Sequence, residues 1–296
     1  MRKFIAVFCL TLSPLLAAQS DDVSIRATHV AGQVHMLEGR GGNLAVFAGE
    51  DGILLVDDQY APMSEKIREA VGKIHPGPLR FLINTHYHAD HTEGNEEVAE
   101  PITVVFAHDN VRQRLTADQY IAGIDYTMKA APAGDLPVVT FSERLTFHFN
   151  GEAVTAYHRA HAHTDGDSII HFPGSNVIHM GDIFFNGLYP LIDVNAGGSV
   201  QGIIEAVQFA LDLCRPETRV IPGHGPLGNC ADLESYGQML ADTSKAVRDL
   251  LVQGKSLEEI VAARPTRRFD ERYGQGFIKP DVYVKLLHVS LTAGGS

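Results

Sequence analysis

Residues 79–91 read Leu-Arg-Phe-Leu-Ile-Asn-Thr-His-Tyr-His-Ala-Asp-His. The first half is an apolar run of strand length. The second half places three imidazoles and a carboxylate within six residues. A strand over residues 79–84 delivers this segment to the rim of a sheet, where loops present functional groups. His86 and His88, two residues apart on extended backbone, point to one side and can bind one ion. Asp90 and His91 fall past the bend and can face a second. Protonated, these groups would repel one another, and a cation relieves that repulsion. The competing reading is a solvated polar loop.

Three later residues share the chemistry and the placement. His163 lies in the loop Ala162-His163-Thr164-Asp165-Gly166-Asp167-Ser168, between two β-type runs. Asp182 follows the strand expected at residues 176–179, and His224 follows the one expected at 218–221. Each is a metal-ligand type at a strand end beside glycine, which lets the backbone bend toward a site. Each alone also fits a surface turn. Together with the first motif they complete a set of seven.

Around these points the chain alternates short strands and helices. β-type runs are expected at residues 33–37, 43–48 and 53–57, separated by glycine-bearing turns. Ile67, Ala70, Val71 and Ile74 follow at helical spacing. Further strands are read at 102–107, 144–150, 152–158 and 168–172. Ser199 is a plausible cap for a helix striped with Val200, Ile203, Ile204, Val207 and Leu211. Helices follow through 232–252, then one opened by the capping box Ser256-x-x-Glu259, then one at 281–291. Without repeats, linkers or a break in composition, two sheets packed together with helices outside form a single domain, expected over residues 21–296.

Residues 1–20 read as a secretory signal: Arg2-Lys3, an apolar stretch from Phe4 to Leu16, then small residues at Ala17-Ala18. Thirteen apolar residues broken by Ser13-Pro14 are too short for a membrane span. No later segment is long and apolar enough for one, so no membrane anchor is expected, and the protein is read as periplasmic or secreted. The formal charge of −12 argues against nucleic-acid binding, which needs Lys and Arg to displace counterions, and leaves a small-molecule substrate. Fifteen histidines in a chain without tryptophan point the same way as the motif. Cys214 and Cys230 could pair in an oxidising compartment. They are expected at opposite ends of a strand, however, which favours two inert buried thiols.

The motif order resembles the metallo-β-lactamase superfamily. The H-x-H-x-D-H run, the His163 loop, Gly181-Asp182, Gly223-His224-Gly225 and the early strand ending in Asp57-Asp58 carry the likeness. The resemblance implies an α/β fold, a four-layer αββα sandwich with the site at one edge of the two sheets. It further implies that His86, His88 and His163 hold a first metal. Asp90, His91 and His224 would hold a second, with Asp182 bridging both. Two Zn²⁺ per chain suit the all-N/O ligands. They would share a bridging hydroxide that Asp90, the implied catalytic residue, orients before passing a proton to the leaving group. The leading substrate is a cyclic amide, a β-lactam, which would make the chain an antibiotic-resistance enzyme. A lactone or other ester or thioester is the alternative, because many lactamases of this superfamily carry Cys where this chain has Asp182. They also carry a substrate-binding Lys three residues later, where this chain has Phe185. A non-catalytic metal-binding protein would lack a ligand or the orienting acid, and neither is missing.

Other residues compete for roles. His158 and His161 precede His163 closely, and His161 is a candidate near the pocket. His29, His35, His75, His108, His148, His171, His179 and His288 are expected on the surface or satisfied in the core. Tyr60, Phe184, Phe185 and Tyr189 fit a substrate wall as well as ordinary core packing.

Overall fold

The computed structural model describes residues 23–293. The signal segment read at residues 1–20 lies outside the described residues. The first half of the described chain builds a seven-stranded sheet in the order β1-β2-β3-β4-β5-β6-β9. Its strands are β1 (Arg26–Ala31), β2 (Val34–Glu38), β3 (Leu44–Gly49), β4 (Gly52–Val56), β5 (Leu79–Ile83), β6 (Val104–His108) and β9 (Val139–Phe141). Between them lie α1 (Ser64–Ile74), α2 (Ala89–Thr92), α3 (Asn95–Val98), α4 (Asp109–Leu115) and a separate hairpin, β7 (Gln119–Ile121) and β8 (Tyr126–Met128). The second sheet runs β10-β11-β12-β13-β14-β15. These strands are β10 (Arg144–Phe149), β11 (Glu152–His158), β12 (Ser168–Phe172), β13 (Val177–His179), β14 (Arg219–Ile221) and β15 (Gly228–Asn229). Five α-helices complete the described residues: α5 (Val200–Leu213), α6 (Cys230–Val252), α7 (Leu257–Ala263), α8 (Asp270–Tyr273) and α9 (Pro280–Ala293).

Period-two side-chain alternation assigns the layers. Phe47, Leu54, Val56 and Ile83 of the first sheet meet Phe147, Phe149, Val154, Ile170 and Phe172 of the second in one core. The alternate residues Val46, Ile53, Leu55 and Leu82 face outward onto Ile67 and Val71 of α1. On the far side, Ile169, Ile178 and Val220 pack against α5, α6 and α9. Helix, sheet, sheet, helix is therefore the expected αββα sandwich. Strands buried on both faces read as continuous apolar runs, as β3 and β4 do.

The expected strands and the larger helices form at or within a few residues of their expected bounds. Ser199 caps α5 by accepting from Gly202 N at 2.9 Å, and Ser256 and Glu259 form the capping box of α7. Residues 109–143 carried no assignment, and α4, β7, β8 and β9 form there; β1 and β15 also went unread. The expectation of two free thiols is corrected: Cys214 and Cys230 form a disulfide, with Cα atoms 6.3 Å apart. The reason is β15. It runs antiparallel to β14 with Asn229 opposite Arg219, so the chain doubles back and returns Cys230 to the end of β14 where Cys214 entered. Two residues of strand leave too weak a pattern to read.

Candidate metal centre

Parallel pairs β4–β5 and β13–β14 sit in opposite sheets, and the loops beyond their carboxyl ends meet at one edge. β5 delivers His86, His88, Asp90 and His91; β13 delivers Asp182; β14 delivers His224. His163 arrives from the loop before β12, tied to the first motif where Ser168 N donates to Thr85 O at 2.8 Å. Asn43 links the sheets across the site, its Nδ2 donating to Pro222 O at 3.0 Å and Gly225 O at 2.9 Å. A Cβ on Gly223 would lie 2.0 Å from Asp182 Oδ1, so only glycine lets the His224 loop pass so close.

All seven expected ligands converge. His86, His88, His163 and Asp182 form one group that could hold a metal ion, and Asp90, His91 and His224 form another. In the first, His88 Nδ1 lies 3.1 Å from His86 Nε2 and 2.9 Å from His163 Nε2. Asp182 stands between the groups. Its Oδ2 is 3.8 Å from His86 Nε2, 3.6 Å from His163 Nε2 and 3.4 Å from His224 Nε2, and its Oδ1 is 3.1 Å from His91 Nε2. Asp90 Oδ2 lies 3.2 Å from His224 Nε2. Those two side chains, 19% and 20% exposed, are the open side; His86, His88, His91, His163 and Asp182 are buried.

The outward nitrogens show which way each ring faces. His91 Nδ1 donates to Asp57 Oδ2 at 2.7 Å, and His163 Nδ1 donates to Leu191 O at 2.9 Å. His88 Nε2 donates to Asp193 Oδ2 at 3.0 Å. Thr85 Oγ1 donates to Asp57 at 2.8 Å, which leaves it to accept from His86 Nδ1 at 3.1 Å. With their protons directed outward, His86, His88 and His163 turn bare lone pairs toward one another. His91 Nε2 and Asp182 Oδ1 are buried, and no well-directed hydrogen bond satisfies either. Burial and the neighbouring His91 hold His86 well below the usual imidazole range; burial and His88 hold His163 at about 4. Both are neutral donors. Burial alone would lower His224, but Asp182 and Asp90 raise it to about 10, so the second group demands positive charge. Converging lone pairs, unsatisfied polar atoms and paired carboxylates fit cations.

Some residues that touch the site escaped the sequence reading. Asp193 accepts from Tyr87 Oη as well as from His88. Its signal was a lone acid in the apolar run Leu191-Ile192-Asp193-Val194, since a buried carboxylate needs partners. Phe277 lies 5.9 Å from the His224 ring and had no signal. Among the four aromatic candidates, Phe184 packs on Tyr236 and Tyr189 stacks between Tyr273 and Tyr283; both are core. Phe185 is buried and stacks on His224 at 5.2 Å. Tyr60 is half-buried, with the Arg40 guanidinium 5.8 Å from its ring. His161 is exposed, bonds Gly197 O and belongs to neither ligand group. His158 stacks on His108 at 3.6 Å, and His179 is buried and bonded to Asn43 O.

Residues 37–226 match the family model described as Metallo-beta-lactamase superfamily. A curated relative, the 2,4-dinitroanisole O-demethylase subunit alpha of Nocardioides sp. (strain JS1661), is 28% identical over 143 residues. That match covers 47% of this chain and only 40% of the relative. Among solved structures, the chain resembles a stereoselective inverting sec-alkylsulfatase from Pseudomonas sp. with TM-score 0.66 and 16% identity, over 90% of this chain and 50% of that one. It also resembles a metallo-beta-lactamase from Pontibacter korlensis with TM-score 0.60 and 18% identity, over 74% of this chain and all of that one. At such identities the structural likeness speaks for the fold.

Proposed function

The chain belongs to the metallo-beta-lactamase superfamily, whose members are generally hydrolases, and on that premise we propose that it is an exported zinc hydrolase of carboxylic esters, lactones foremost. The observation that carries the reading is the convergence of seven ligand atoms in two groups, with the Asp90 carboxylate on their open side. Zinc held by His86, His88 and His163, and by Asp90, His91 and His224 with Asp182 between, would supply Lewis acidity that polarises a carbonyl and acidifies water.

The chain's own groups do the rest. The buried side, built from His86, His88, His163 and Asp182, excludes bulk water from one face of the centre. Asp90 Oδ2, which burial alone would push up, is held by His91 and His224 in its ionised form at about 2 and can accept a proton from attacking water. Hydrolysis forms one C–O bond from that water and breaks the C–O bond to the leaving alkoxide, to which Asp90 delivers the proton.

The β-lactam reading stands second, and Phe185 is the reason. A β-lactam's carboxylate calls for a cation, and the position three residues beyond Asp182 holds a buried phenyl ring stacked on His224. An uncharged lactone makes no such demand. The disulfide supports export, because such bonds persist in oxidising compartments. The test is a panel given to the zinc-loaded protein: a lactone, a phenyl ester, a penicillin, a carbapenem, a sec-alkyl sulfate and an aryl methyl ether. The last two follow from the names of the relatives. Lactone and ester turnover is expected; turnover of the β-lactams with the esters inert would reverse the order.

A further inference from the structure

Phe277 presents a phenyl ring, half in solvent, beside the centre. It is 53% exposed, while its neighbour Ile278 is 2% exposed and sits in the core with Tyr283 and Leu287. On its other side, a Cβ on Gly276 would come within 2.8 Å of Leu188 Cδ2, so the backbone there lies directly on the body of the protein. Anchored on both sides, the segment holds Phe277 outward. Its ring meets the edge of His224 at 5.9 Å and Phe185 at 6.1 Å, while Phe185 stacks behind His224. An apolar wall therefore continues from the buried phenyl of Phe185, past the open-side ligand His224, to a ring half in water.

We propose that Phe277 is a specificity-determining residue that receives an apolar substituent, alkyl or aryl, of the substrate on the His224 side of the scissile bond. The inference rests on the carboxylic-ester reading and narrows it to esters and lactones with an apolar acyl part. The occupant follows from continuity: the exposed ring touches a residue of the centre itself, so whatever covers it also reaches the reacting group. Tyr60, with the Arg40 guanidinium 5.8 Å from its ring, is near enough to Asp90 to feel its charge.

The experiment separates this inference from the hydrolase reading by measuring binding and turnover independently. Calorimetric titration of the zinc-loaded protein uses three carboxylates, the products such esters would yield: acetate, hexanoate and 3-phenylpropionate. The wild type should bind the latter two at least about tenfold more tightly than acetate, since apolar contacts of this size discriminate by such factors. Phe277→Ala should abolish that preference and leave acetate unchanged, and Phe277→Leu should keep most of it. In turnover of the corresponding phenyl esters, Phe277→Ala should raise KM for the longer acyl chains with kcat held. Equal affinity for all three acids in the wild type, or a preference that survives Phe277→Ala, overturns the inference. Preferential binding without turnover of any ester upholds the wall and overturns the hydrolase reading alone.

Discussion

His91 lies between two carboxylates: its Nδ1 donates to Asp57 Oδ2 at 2.7 Å, and its Nε2 faces Asp182 Oδ1 at 3.1 Å. Asp57 adopts a left-handed φ of 60° directly after β4, a conformation disfavoured for a side chain and retained where surrounding contacts enforce it. The same carboxylate accepts from Thr85 N at 2.7 Å and from Thr85 Oγ1, so it ties the end of β4 to the start of the ligand segment. Asp57→Asn should weaken metal binding in the group of Asp90, His91 and His224 by about 10- to 100-fold, the scale for losing a partner that orients a ligating imidazole. Competition with a chelator reads the change. Undiminished affinity in both groups would sink the assignment.

Metal content is the second expectation. Two groups of ligands joined by Asp182 should saturate with about two zinc ions per chain. Elemental analysis after dialysis checks the ratio, and a plateau at one ion excludes a two-metal centre.

Asp90 separates chemistry from binding. Asp90→Asn keeps the size and removes the charge beside His224, and turnover should fall by at least about 10²-fold. The ion held by His86, His88 and His163 should stay, because none of its ligands changes. Near-normal turnover at full metal content would move the proton transfer elsewhere.

Away from the centre, burial and the stacked His108 ring hold His158 at about 4, against an ordinary 6.5. Between those values the unfolded chain binds a proton that the native ring refuses. Stability contributed here should therefore fall as pH drops from about 6.5 toward 4. His158→Phe keeps an aromatic ring for stacking without the titration, and denaturant unfolding across this range should show a shallower pH slope than the wild type. Parallel slopes would contradict it.

Export and the disulfide make a joint expectation. Protein recovered from the exported fraction should begin near Gln19 or Asp21 by mass spectrometry and carry the Cys214–Cys230 bond. Closing a loop of 16 residues should stabilise the fold by roughly 3 kcal/mol. Replacing both cysteines with Ser should lower Tm by roughly 5–10 °C, and reduction of the wild type should do the same. A chain with Met1 intact in the cytosol would remove the export reading.

How much of this was legible beforehand depended on how local the signal was. The ligand types of His86, His88, Asp90 and His91 could be read because four of the seven lie within six residues of one strand end. Asp182 and His224 were found because each follows an apolar run and sits beside glycine. Layering was legible too, since period-two and 3.6-residue patterns are written along the chain. Tertiary structure alone decided what depends on two distant segments meeting. Asp193 reaches His88 across 105 residues, Asp57 reaches His91 across 34, and Phe277 meets His224 only because Ile278 turns inward. Cys214 finds Cys230 through a two-residue strand with no pattern of its own. Sequence determines which side chains can bind, bury or donate. Which of them face one another is settled by the packing of two sheets, whose geometry is a property of the whole core rather than of any stretch within it.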